Sequence, residues 1–156
     1  MLKLFMNIIA FILFGFMLIT GCSDDSNPVK DDDTDHDHAE AVGCVVSSSG
    51  VELARYEKGV VTGTLGVKAG EETALLTIRF IASDGDLFQP DGDHYSLDWE
   101  LAALDIAEIE QHEEDGKWSF HLVGKKAGAT DITLKILHGD HADFVAKPIP
   151  VQVTES

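Results

Sequence analysis

Short runs in which apolar and polar residues alternate constrain the fold of this chain more than any other feature. They begin near Val42 and are clearest in three places: Trp118, Phe120 and Leu122; Ile132, Leu134 and Ile136; Ile149, Val151 and Val153. Successive side chains of a β-strand point to opposite faces of its sheet, so a period of two predicts strands with one buried face.

The pattern predicts a series of strands separated by turns that contain Gly and Asp: residues 43–48, 51–56, 60–67, 72–82, 95–101, 106–112, 117–123, 129–137 and 144–153. Between Leu101 and Glu114 the cluster of Ala, Leu and Glu makes a helix the alternative, but no clear cap flanks it and its neighbours are strands. Turns about every 8–12 residues and no long helix predict an all-β, antiparallel β-sandwich over residues 42–156.

Residues 22–41, before the first predicted strand, contain almost no apolar side chains. Such a stretch cannot bury enough surface to offset the entropy of ordering it, so we expect a disordered tether. His36 and His38 lie in this tether, where flexibility would make them loose metal ligands.

An apolar segment opens the chain, with Lys3 as its one cation and Asn7 as the only strongly polar residue from Leu4 to Ile19. It is shorter than the roughly 20 residues of a membrane span. Its end, Ile19-Thr20-Gly21-Cys22, resembles a bacterial lipobox. That resemblance implies a signal peptide over residues 1–21 and lipidation of Cys22 by acyl chains such as palmitate. An uncleaved anchor and an ordinary secretory signal are the alternatives.

The next residues, Ser23-Asp24-Asp25, resemble the acidic export signal of surface lipoproteins in one group of Gram-negative bacteria. We therefore expect an outer-membrane lipoprotein of the bacterial cell envelope, on its periplasmic or cell-surface face. The formal net charge of −17 repels nucleic acid and anionic headgroups, which excludes nucleic acid as a partner and leaves the lipid anchor as the membrane contact. Cys44 lies in an apolar run and is predicted to be buried; a soft metal ligand or an intermolecular thiol is the alternative.

Four segments, in order, resemble a bacterial immunoglobulin-like domain of group 2: Leu97 to Trp99, Ile106 to Ile109, Leu122 to Leu134 and Ile149 to Val153. In that family a Trp on an inner strand, an "IA.I" strand, a "G..AGTATIT" turn and strand, and a closing "V.V" strand recur. The resemblance covers about 60 residues and implies an immunoglobulin-like sandwich used as a structural or adhesion module. The chain departs from the family in two acidic loops, 83–94 and 138–143.

Alternating strand directions would place the connections 83–94, 113–116 and 138–143 at one end of the sandwich. That end would gather six candidate metal ligands: His94, His112, His138, His141, Asp140 and Asp143. Imidazole with carboxylate suits Zn or Cu, whereas Ca prefers oxygen ligands alone and is less favoured. The strongest part is His138-x-x-His141-x-Asp143; a solvated polar loop without a metal is the alternative.

His121 is predicted to lie opposite Glu108 in an exposed cross-strand ion pair. No Gly-x-Ser-x-Gly elbow or phosphate-binding glycine loop occurs, so an enzyme is not expected. The sequence thus predicts a lipid-anchored extracytoplasmic binding protein that captures Zn or Cu through its His/Asp loops. The alternative is a structural or adhesion module, with a protein partner and no metal; a hydrolase is a remote third.

Overall fold

The computed structural model describes residues 38–156. Within that range the chain forms twelve strands: β1 Gly43–Ser48, β2 Val51–Glu57, β3 Val60–Gly63, β4 Leu65–Lys68, β5 Leu76–Ile81, β6 Leu87–Phe88, β7 Tyr95–Leu101, β8 Ala107–Glu110, β9 Ser119–Gly124, β10 Gly128–His138, β11 His141–Val145 and β12 Ile149–Thr154. The one helical element of the described residues is a 3-10 turn at Glu113–Asp115. The predicted all-β class is confirmed, and the helix considered between Leu101 and Glu114 does not form.

The strands form two sheets in a sandwich-like arrangement, as in immunoglobulin-like folds. One sheet runs β3-β2-β1-β5-β9-β8, with β6 beside β5, and the other runs β11-β10-β12-β4, with β7 beside β10. Every pairing is antiparallel except that of β12 with β4, which is parallel. Strand β10 is the longest, so it can pair with β7 along one edge and with β12 and then β11 along the other.

The core lies between the sheets, and alternate residues of the strands supply its side chains. In β12 the buried residues are Ile149, Val151 and Val153, and the residues between them are exposed. Phe80 of β5 is fully buried, with its ring edge-on to Trp118 at 5.3 Å and to Phe144 at 5.6 Å between centroids. Each such side chain contributes about 1.5–3 kcal/mol by leaving water, so the alternating apolar residues determine which face of each strand is buried.

Cys44 of β1 has no exposed surface. Burial raises the pKa of its thiol to about 12, and a backbone hydrogen bond with Tyr56 opposes this rise. The predicted burial is confirmed, and the thiol stays protonated and unreactive at neutral pH.

Two predicted strands each divide into two, the first because the chain changes sheets and the second because the ladder to β10 is interrupted. The predicted strand 60–67 breaks after Gly63, so that β3 pairs in the larger sheet and β4 in the smaller one. Gly63 has a φ of +80°, and a β-carbon there would meet the carbonyl oxygen of Leu53, so this crossing needs glycine. The predicted strand 144–153 breaks around Pro148, which cannot donate to a sheet ladder, and the strands on either side of the break both pair with β10.

The predicted signal peptide, Cys22 and the tether as far as residue 37 lie outside the described residues. We call residues 38–41 the N-terminal segment. The sequence predicts them to be part of the tether, but they contact the sandwich: Ala39 is buried, and Val42, which follows the segment, donates its N–H to the Ile81 carbonyl at 2.8 Å. Among the described residues no helix is both long and apolar enough to span a membrane.

Candidate metal centre

The β10–β11 hairpin places two histidines opposite each other. Strand β10 ends at His138 and β11 begins at His141, and these two residues pair across the ladder. The turn between them contains only Gly139 and Asp140, and Gly139 takes a φ of +61°, which glycine adopts without strain. The turn is fixed from outside by a hydrogen bond of 2.9 Å from the Gly139 N–H to the His94 carbonyl.

A β-bulge inserts Asp143 into the same site. Ile136 pairs with Phe144 and Leu137 pairs with Ala142, so Asp143 is the extra residue of β11. Bulges redirect side chains at the edges of sheets and are frequent near functional sites. Here the bulge accompanies a carboxylate that is only 2% exposed.

The Asp143 carboxylate is surrounded by three imidazoles. Its Oδ1 lies 3.0 Å from His38 Nδ1 and 3.2 Å from His141 Nε2, and its Oδ2 lies 3.5 Å from His138 Nδ1. Oδ2 also accepts the Ala39 N–H at 2.9 Å. The buried acid therefore joins the hairpin to the N-terminal segment.

The surroundings of Asp143 keep it ionised. Burial alone raises the pKa of this carboxyl group, but the hydrogen bonds from His38 and from the Ala39 N–H, with the charges of His38 and His138, together lower it below its usual value. At neutral pH the site thus presents a buried negative charge, which favours a bound cation.

One ligand atom from each of His38, His138, His141 and Asp143 can be chosen so that all lie within 4.8 Å of one another. We call these four residues the histidine cluster. Zn²⁺ binds imidazole nitrogen and carboxylate oxygen at about 2.0–2.2 Å, so tetrahedral ligand atoms lie about 3.3–3.6 Å apart, and the widest-spaced atoms of the cluster would approach by up to about 1.5 Å on binding. Three nitrogens and one oxygen, with no sulfur, suit Zn²⁺ or Cu²⁺ better than Cu⁺.

Of the six residues predicted from sequence, the structure brings His138, His141 and Asp143 together. Asp140 is fully exposed, and its Oδ1 lies 3.5 Å from Nδ1 of His141, whereas Asp143 contacts Nε2 of that ring. His94 lies beside the cluster: its ring packs against His138 with centroids 4.9 Å apart, but it is not one of the four converging ligands.

His112 lies in another group, with Glu72 and His121. The predicted ion pair between His121 and Glu108 is wrong, because the register is shifted by two residues: His121 lies opposite Glu110, and Glu108 opposite Val123. The shift arises because β8 ends at Glu110 and the 3-10 turn lengthens the connection to β9.

His121 is only 15% exposed and is bound at both ring nitrogens. Nδ1 lies 2.9 Å from the Thr73 carbonyl and 2.8 Å from Glu72 Oε1, and Nε2 lies 3.3 Å from Asp115 Oδ2. The hydrogen bond to Thr73 raises the pKa of His121; burial opposes it, and Glu72 and Asp115 add to the rise. Because both ring nitrogens already face oxygen atoms of neighbouring segments, His121 ties β9 to those segments.

His38 is the cluster residue that the strand pattern did not select, because the approach of the chain to β1 is not encoded in strand periodicity. The available signal was the pair of histidines in the tether close to the first predicted strand.

No protein-family model matches the chain, and no curated protein matches it. The crystal structure of domains 4 and 5 of the S-layer protein SbsC is similar, with a TM-score of 0.40 and 18% sequence identity. The match covers 60% of this chain and 48% of that one, so the chain spans about half the length of that structure. A likeness this distant carries no argument about function.

Proposed function

We propose that this protein is a lipid-anchored extracytoplasmic binding protein that captures a divalent transition metal, Zn²⁺ or Cu²⁺, through His38, His138, His141 and Asp143. The observation that carries the proposal is the buried, ionised Asp143 with three imidazole nitrogens 3.0–3.5 Å from its oxygens. Buried charges in proteins are paired or coordinate metals, and imidazole with carboxylate binds these ions well.

Ca²⁺ fits the cluster less well than Zn²⁺ or Cu²⁺. It takes six to eight oxygen ligands, whereas the cluster offers one carboxylate among three nitrogens. The formal net charge of −17 raises the local concentration of any cation and so supports capture, without selecting the metal.

The location is proposed from the sequence. The lipobox-like end Ile19-Thr20-Gly21-Cys22 and the acidic residues after it support an anchor at Cys22 and a place in the bacterial outer membrane. An anchored domain with an ion site that is open to solvent at His38 and His141 suits capture or hand-off of the metal.

A structural or adhesion module is the second candidate. Its support is the order of the group 2 immunoglobulin-like segments, which fall on β7, β8, β9 to β10, and β12. In that case the ligand would be a protein partner, and the histidine cluster would be a polar contact without a metal.

Titration of the full chain with Zn²⁺ and Cu²⁺ at pH 7 separates the two candidates. An ion that binds only the native state stabilises it by about 2.7 kcal/mol at one hundred times its dissociation constant, so the melting temperature should rise with metal concentration. A variant with His138→Ala and His141→Ala should lose this rise, and the control His112→Ala should keep it. A wild-type protein without metal-dependent stabilisation would leave the structural or adhesion module.

A further inference from the structure

The histidine cluster includes one residue from outside the hairpin. His138, His141 and Asp143 lie within six residues of one another on β10 and β11, whereas His38 is 105 residues before Asp143 and precedes β1. The N-terminal segment contains no strand, and two of its polar links to the sandwich, from His38 Nδ1 and from the Ala39 N–H, end on Asp143. Whatever binds Asp143 therefore also acts on this segment.

We propose that the captured ion links the N-terminal segment to the β10–β11 hairpin by binding His38 together with the hairpin residues. We call this link the staple. This inference rests on the proposed function and adds that ion binding and docking of the segment are one coupled equilibrium. The His38 side chain is 59% exposed, so water competes for its hydrogen bond to Asp143. Water replaces a bond from His38 to a metal ion less easily. Loss of a residue that only hydrogen-bonds a metal ligand already lowers metal affinity about 10–100-fold, so loss of the ligand His38 should lower it at least as much.

Coupling of this kind is reciprocal. The factor by which a docked His38 tightens ion binding must equal the factor by which the ion raises the ratio of docked to undocked segment. Ion affinity and docking of the segment can be measured independently, and the two factors should be equal. If the site were built on the hairpin alone, ion binding would not change docking.

Docking of the segment also shapes a neighbouring cleft of about 490 Å³. His38, Ala39 and Glu40 are among its lining residues, together with Phe88 and Tyr95. Because the staple would hold the first three residues in place, a loaded ion would also fix part of the lining of the cleft.

Backbone hydrogen exchange of the full chain, with and without Zn²⁺, tests the staple. Zn²⁺ should slow exchange at residues 39–41 by at least about tenfold, by the same factor that His38→Ala weakens Zn²⁺ affinity in calorimetry. His38→Ala should still bind Zn²⁺ through the hairpin residues, but Zn²⁺ should no longer slow exchange at 39–41. The side chain is exposed, so this variant should fold normally.

His112→Ala is the matched control and should preserve both the affinity and the Zn²⁺-dependent protection. If the wild-type protein binds Zn²⁺ but neither affinity nor protection depends on His38, the staple is refuted and a three-residue hairpin site remains. If the wild-type protein binds neither Zn²⁺ nor Cu²⁺, the proposed function fails, and the staple fails with it.

Discussion

At the scale of single residues, Asp143 organises the site, because its two oxygens hold three imidazoles and one backbone N–H. Asp143→Asn keeps the size of the side chain and removes its charge. We expect a loss of about 1–2 kcal/mol in the free energy of unfolding at pH 7 and at least about tenfold weaker Zn²⁺ binding. Urea unfolding and calorimetry measure the two effects.

The pH dependence follows from the lowered pKa of Asp143. A carboxyl group with a folded-state pKa below its unfolded value stabilises the protein above about pH 4, and this stability is lost as the pH falls through the folded-state pKa. The difference between wild type and Asp143→Asn should therefore shrink in acid. Asp140→Asn, the same change at an exposed position of the same hairpin, should cost little at any pH; equal losses in the two variants would contradict this role of Asp143.

His121 should make the opposite contribution, because its pKa is raised by Thr73, Glu72 and Asp115. A histidine with a raised folded-state pKa stabilises the protein fully below its unfolded value of about 6.5, and this stability is lost as the pH rises through the folded-state pKa. His121→Gln should therefore destabilise more at pH 6 than at pH 9, by about 1 kcal/mol at most, since Glu72 is exposed. Chemical unfolding across this range measures it, and a pH-independent loss would show that His121 is neutral in the fold.

At the scale of elements, the crossing of the chain from β3 to β4 depends on Gly63, where φ is positive and the Leu53 carbonyl leaves no room for a β-carbon. Gly63→Ala should lower the free energy of unfolding by about 2 kcal/mol or more. Gly66 of β4 is the control, since nothing lies within 4 Å of its would-be β-carbon. Thermal and urea unfolding should show a clear difference between the two alanine variants; similar small losses would mean that the crossing tolerates a side chain.

The sequence predicts the elements better than their junctions. Alternation locates the strands because burial of one face is a local property, but it does not report the change of sheet at Gly63 or the bulge at Asp143. His138, His141 and Asp143 could be predicted as a group because one short hairpin carries them. His38 and His112 could not be placed, since their positions depend on the path before β1 and on the β8–β9 register.

At the scale of the whole molecule, we propose that a lipid anchor at Cys22 attaches the acidic β-sandwich to the membrane. Replacing Cys22 by Ala should block processing after residue 21 and release the protein from the membrane fraction. Intact-mass measurement and fractionation of the expressing cells check both effects. Cys44→Ala is the control, because that thiol is buried in the core and should have no part in anchoring. An unchanged mass and unchanged membrane partition in Cys22→Ala would contradict the lipoprotein assignment.

The most direct test of the metal site is anomalous diffraction at the zinc absorption edge from crystals of the protein grown with Zn²⁺ at neutral pH. Zn²⁺ should give a peak about 2.0–2.2 Å from a nitrogen of each of His38, His138 and His141 and from an oxygen of Asp143. A peak beside Glu72, His112 and His121 instead, or no peak in the histidine cluster, would contradict it.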